Sequence, residues 1–100
     1  MEYAERPRMI SPDSRPRLAA KARLRFDRKS QRYLLLYPER GLALNPTAAD
    51  ILTLCTGENT VTAIVTRLAA NYADQPRDLL EREVLSFLGV MRDRGLVKDV

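Results

Sequence analysis

The chain has 100 residues, of which 17 are Lys or Arg and 13 are Asp or Glu, for a net charge of +4. This is enough chain for one domain around one modest core. With no histidine and a single cysteine, a Ser-His-Asp triad, a Cys-His pair and the common zinc patterns are excluded.

Residues 1–16 carry three prolines, many charges and no periodicity. They read as a mobile N-terminal tail, leaving residues 17–100 as a single domain. From Leu18 to Phe26 the pattern alternates. Leu18, Ala20, Ala22, Leu24 and Phe26 fall on one side and Lys21, Arg23 and Arg25 on the other, the period of a half-buried strand. Asp27 to Ser30 supplies a polar turn. Tyr33-Leu34-Leu35-Leu36-Tyr37 is a continuous apolar run and predicts a more buried, central strand. Pro38 to Gly41 reads as a type I turn, with glycine at its last position. Leu42 to Leu44 forms a very short third strand.

Asn45-Pro46 is a favoured start for a helix, as N-cap and first helical residue. Ala48, Ile51, Leu52 and Cys55 then recur on one helical face, and Gly57 stops it. Thr60 caps a second helix with Val61, Ile64, Val65, Leu68 and Tyr72 on its apolar face. A third, longest helix starts near Gln75-Pro76. Its stripe is Leu80, Val84, Phe87, Leu88 and Met91, and Gly95 ends it, after which Leu96-Val97 can fold back. Three strands followed by three helices predict an α+β domain, with a small three-stranded antiparallel sheet and a winged helix-turn-helix-like outline.

The chemistry that is missing narrows the function. The four glycines are isolated, so there is no phosphate-cradling loop. Nearby carboxylates such as Glu81 and Glu83 are what a solvated helix face carries, and nothing sets a nucleophile beside a base and an orienting group. We therefore expect no catalytic residues, no metal and no cofactor. Cys55 reads as a small buried hydrophobe. No apolar run suits a signal peptide or a membrane span, so a cytoplasmic protein without a membrane partner is expected.

The positive charge is concentrated. Residues 1–32 hold ten Lys or Arg against four Asp or Glu, and the remainder holds seven against nine. A winged-helix nucleic-acid binder is the alternative this suggests, but such proteins concentrate positive charge on the reading helix. Here the helices are nearly neutral or acidic, and nucleic acid is not expected as a partner. The short third strand is more informative. It would form a sheet edge blunted by neither charge nor proline, so an extended peptide can add a strand there. On this reading a proline at Leu42 removes an edge donor. The same edge permits a homodimer by strand exchange.

Several stretches resemble the coenzyme PQQ synthesis protein D family over about residues 16–97. They are Pro16-Arg17-Leu18, Arg23 to Asp27, and Tyr33-Leu34-Leu35-Leu36-Tyr37-Pro38-Glu39-Arg40-Gly41. Ile51 to Gly57 and Thr60 to Ile64 follow. The resemblance implies a recognition element for a ribosomally made precursor peptide. It implies a chaperone that binds the PQQ precursor between its third strand and third helix and presents it to a radical SAM enzyme. Mapped onto this chain, the peptide-binding positions are Arg40, Gly41, Leu42, Ala43 and Leu44 on the strand. On the helix they are Glu83, Val84, Phe87 and Leu88. Phe26 stands where the family often has tryptophan, and Glu83 where aspartate is common.

Overall fold

The computed structural model describes residues 9–99. The elements in chain order are β1 (Pro16–Leu18), β2 (Arg23–Asp27), β3 (Arg32–Tyr37), β4 (Arg40–Ala43), α1 (Pro46–Thr53), α2 (Val61–Ala69), α3 (Arg77–Asp93) and β5 (Val97–Asp99). Strands β2, β3 and β4 form an antiparallel meander with β3 in the centre. The three-stranded sheet followed by three helices is the α+β order expected from the sequence.

The first expected strand is two strands. The alternation from Leu18 to Phe26 breaks at a turn closed by the Ala22 N–H donating to the Ala19 carbonyl at 3.0 Å. β1 leaves the meander altogether and pairs antiparallel with β5, Pro16 facing Asp99 and Leu18 facing Val97. Its other edge meets the segment after α1, where Leu18 N–H donates to Cys55 O and Gly57 N–H to Pro16 O. The alternation is therefore interrupted at the turn and resumes in the same phase beyond it. Ala19 is buried and Ala20 exposed, the reverse of a continuous strand. Lys21 lies in this turn and not on a strand face. Its Nζ reaches the Gly95 end of α3, where the carbonyl end of the helix dipole favours a cation.

Part of the segment expected as a tail, residues 1–16, packs on the domain. Residues 1–8 lie outside the described residues. Within the rest, Pro12 and Ser14 offer their carbonyls to the N–H groups of Thr62 and Val61, at 3.1 and 2.9 Å. Thr60 Oγ1 takes the Ala63 N–H at 3.0 Å. The first three amides of α2, which no helix can satisfy internally, thus all have partners. A proline-rich segment has few donors but a full set of acceptors, which is what a helix N-terminus lacks.

Tertiary burial holds α2 in shape. Five of its nine residues are Val, Ile or Thr, each costing up to about 0.7 kcal/mol of helix propensity. Val61, Ile64 and Val65 are fully enclosed, and each such burial returns about 1.5–3 kcal/mol. The core joins this face to Leu35, to Ile51 and Leu52 of α1, to Leu80, Val84, Leu88 and Met91 of α3, and to Leu96 and Val97. α1 starts as expected, with Asn45 Oδ1 accepting the Ala48 N–H at 2.8 Å. It ends earlier than expected, at Thr53. Cys55 follows the helix, is buried, and its thiol donates to the Ile51 carbonyl at 3.3 Å. Tyr72 lies beyond α2 and ties α1 down, accepting from Thr47 Oγ1 at 3.3 Å and donating to Asp50 Oδ2 at 3.0 Å.

Candidate functional site

The turn before β4 differs from the expected one. Tyr37 pairs with Arg40, so Pro38 and Glu39 alone make the bend, and Glu39 takes the left-handed conformation at φ 66°. A proline followed by a residue of positive φ is type II geometry. Gly41 is consequently a strand residue opposite Leu36. A Cβ there would stand 3.3 Å from Leu36 Cδ2.

The register decides which backbone groups the edge offers. Leu44 lies one residue past β4, yet its N–H still donates to Tyr33 O at 2.9 Å. In an antiparallel ladder, inward and outward groups alternate. With Leu35 opposite Leu42 and Tyr37 opposite Arg40, the amides of Arg40, Leu42 and Leu44 point into the sheet. Those of Gly41 and Ala43 point out, and both residues are exposed. The edge thus presents two N–H and two carbonyl groups from residues 41 and 43. Leu42 is not an edge donor. Proline there would break the pairing of β4 with β3, so it is not a test of this edge.

The side chains sort differently from the sequence expectation. Leu42 is half-buried on the core face, and Arg40 is exposed. Leu44, Val84 and Leu88 are buried, with Val84 and Leu88 at 0% exposure. They are core residues and leave the candidate surface. Leu44 turns inward because its parity matches Leu35, and Val84 and Leu88 lie on the α3 stripe that packs against α2. Glu83 and Phe87 remain at the surface. They share a recess with Asn45, Thr47, Ala48 and Ile51, where the chain leaves β4 and enters α1. Beyond it they continue onto an open α3 surface with Leu79, Arg82, Ser86 and Val90. Among the described residues no ion pair holds the Glu83 carboxylate.

Leu79 and Val90 escaped the sequence reading, although a signal was present. Residues 79, 83, 86 and 90 recur at helical spacing beside the main stripe. The structure thus leaves, among the described residues, an unpaired strand edge at Gly41 and Ala43, and separately a helix face with Glu83, Phe87 and Val90 that meets the start of α1 at Asn45 to Ile51. Among the described residues no group of His, Cys, Asp or Glu is arranged to hold a metal ion, and no helix is long and apolar enough to cross a membrane.

These features define a small α+β recognition domain of winged helix-turn-helix type, with a strand edge that no described residue pairs. The family model for coenzyme PQQ synthesis protein D (PqqD) matches residues 32–97. A PqqA binding protein of Rhodopseudomonas palustris (strain BisB5) is 38% identical over 96 residues, which is 96% of this chain and 93% of the relative. The bifunctional coenzyme PQQ synthesis protein C/D of Methylorubrum extorquens is 33% identical over 92% of this chain, which corresponds to 24% of that longer protein. The solution structure of the PqqD part of Methylobacterium extorquens PqqCD, described as a stand-alone RiPP recognition element, superposes with a TM-score of 0.76. It is 32% identical and covers 89% of this chain and 94% of that one. The chain belongs to the PqqD family.

Proposed function

We propose that this chain is a non-catalytic peptide chaperone of PQQ biosynthesis. It holds the precursor peptide PqqA as an added strand along β4 and presents it to the radical SAM enzyme of the pathway, in the cytoplasm. The observation that carries this reading is the outward set of N–H and carbonyl groups at Gly41 and Ala43, on the strand that runs into the Asn45 end of the Glu83–Phe87 recess. Strand addition takes its affinity from such backbone groups and its selectivity from neighbouring side-chain pockets. Leu42 and Phe87 supply an apolar floor, and Glu83 supplies a carboxylate suited to a basic peptide side chain. The names of the relatives, PqqA binding protein among them, support the same ligand.

The register supplies the test. Ala43→Pro removes an outward N–H, and proline is tolerated at an edge position whose N–H faces solvent. One lost hydrogen bond is worth about 0.5–1.5 kcal/mol, so titration with fluorescent PqqA peptide should show binding weakened up to about tenfold. Circular dichroism and the thermal midpoint should stay close to those of the parent chain. Unchanged peptide affinity in a folded Ala43→Pro variant would rule out docking on this edge.

A further inference from the structure

The face of the meander turned away from the helices repeats one pattern across its three strands. The register places Arg23, Leu36 and Gly41 in one row and Arg25, Leu34 and Ala43 in the next. Leu35, between the two leucines, is fully buried and belongs to the core, so Leu34 and Leu36 point the other way. Both are half-buried, and neither packs against the core cluster. Each row therefore runs from a cation on β2, through a leucine on β3, to a glycine or an alanine on the β4 edge.

Gly41 is the informative member. The described glycines of positive φ are Gly57 and Gly95, so no left-handed backbone demands a glycine at position 41. Glycine weakens a strand, and inside one it often marks the close approach of a ligand or another backbone. Leu36 leans over the vacant position, its Cδ2 3.3 Å from where a Cβ would stand. Its side chain thus reaches towards the free edge, and no side chain at Gly41 covers it from that side.

We propose that this slot selects the peptide: the docked strand carries an aromatic residue beside Gly41, and its ring lies across the glycine onto Leu36. The inference rests on the strand-addition reading above. Gly41 offers an outward N–H and carbonyl, so its neighbour in an added antiparallel strand is hydrogen-bonded to it. The side chain of that neighbour stands on the same outer face. β3 is two strand spacings, roughly 10 Å, from the added strand, and the lean of Leu36 over Gly41 shortens the gap to what a ring spans. A ring on the adjoining strand is the cover that an edge glycine favours. The one charge in the row is Arg23, beyond Leu36, so the occupant is apolar. Peptide residues one step to either side face the Leu42 side of the sheet, and the two faces read alternate positions.

The test titrates the full chain with fluorescent PqqA peptide, and with peptides in which each aromatic residue is replaced in turn by alanine. One such peptide should bind the parent up to about tenfold more weakly. Leu36→Ala should weaken PqqA comparably, and the two losses should not add. Gly41→Val fills the slot and keeps the outward backbone groups; Leu36 can turn aside because it lies outside the core. That variant should bind PqqA about tenfold or more weakly, while its thermal midpoint does not fall. In the parent, bound PqqA should move the Leu36 methyl resonances upfield through the ring current, a readout that needs no variant. The proposal is overturned if no alanine-substituted peptide loses affinity, if the losses add, or if the Leu36 methyls stay in place. Any of these with Ala43→Pro still weakened leaves strand addition standing, whereas unchanged affinity in Ala43→Pro removes both readings. Self-association that Gly41→Val abolishes, with PqqA binding unchanged, overturns the proposal in favour of a second copy, whose β2 carries Phe26.

Discussion

Cys55 shows how placement sets the chemistry of a single residue. Burial pushes its thiol from 9.0 up to about 12, because desolvation penalises the thiolate. Folding therefore favours the protonated form. That contribution is whole below pH 9 and is lost as pH rises from 9 towards 12, by up to about 1.4 kcal/mol per unit. Urea titrations of the parent and Cys55→Ala should show a stability gap that is constant from pH 6 to 8 and narrows above 9. A gap that does not change with pH would mean the thiol is not shielded. Iodoacetamide should modify Cys55 only as fast as the chain opens. At the opposite extreme, Asp27 sits in water and its pKa is lowered, first by the Ser30 side-chain hydrogen bond. The support it gives the loop is full at neutral pH and disappears only in acid, below the ordinary aspartate range.

α3 has a buried face and an exposed one, and the proposed peptide site uses the exposed one. Leu88→Ala should cost about 2–5 kcal/mol, since a fully buried leucine leaves a cavity, and any loss of PqqA binding should follow from unfolding. Phe87→Ala, half-buried at the recess, should lower PqqA affinity more than it lowers the denaturation midpoint. Equal effects of the two substitutions on binding by folded protein would erase the distinction between the faces. Periodicity found this helix and its buried stripe, but could not separate Phe87 from Leu88, neighbours on one broad apolar arc. The same limit explains the strand errors. Alternation from Leu18 to Phe26 is real on each side of the turn, but β1 takes its partner from residues 97–99, far along the chain, and local pattern carries no information about that partner. The helix starts at Asn45 and Thr60 were legible because capping is local chemistry. The edge was legible as a strand, while its outward residues emerged only once the register with β3 was known.

On the scale of the molecule, the long-range pairings are what close the domain. Pro12 and Ser14 complete α2, β1 and β5 join residues 16–18 to 97–99, and Lys21 meets the end of α3. Arg15 N–H adds a bond to Asp99 Oδ1 at 3.0 Å. The meander, by contrast, is held by hairpins short in sequence. Its register survives on the buried Leu35 and the half-buried Leu24 and Leu42, because a slip by one residue would turn all three outward.

The zipper of Pro16 against Asp99 makes the domain portable. Strands β1 and β5 lie side by side although 78 residues separate them, so a unit bounded by them can be spliced into or onto a larger polypeptide with little rearrangement. The fused C/D relative is a natural instance of such joining. A ring closed by a short linker after residue 99 and reopened within the Arg28–Gln31 loop should therefore fold to the same structure, with new termini at the hairpin tip.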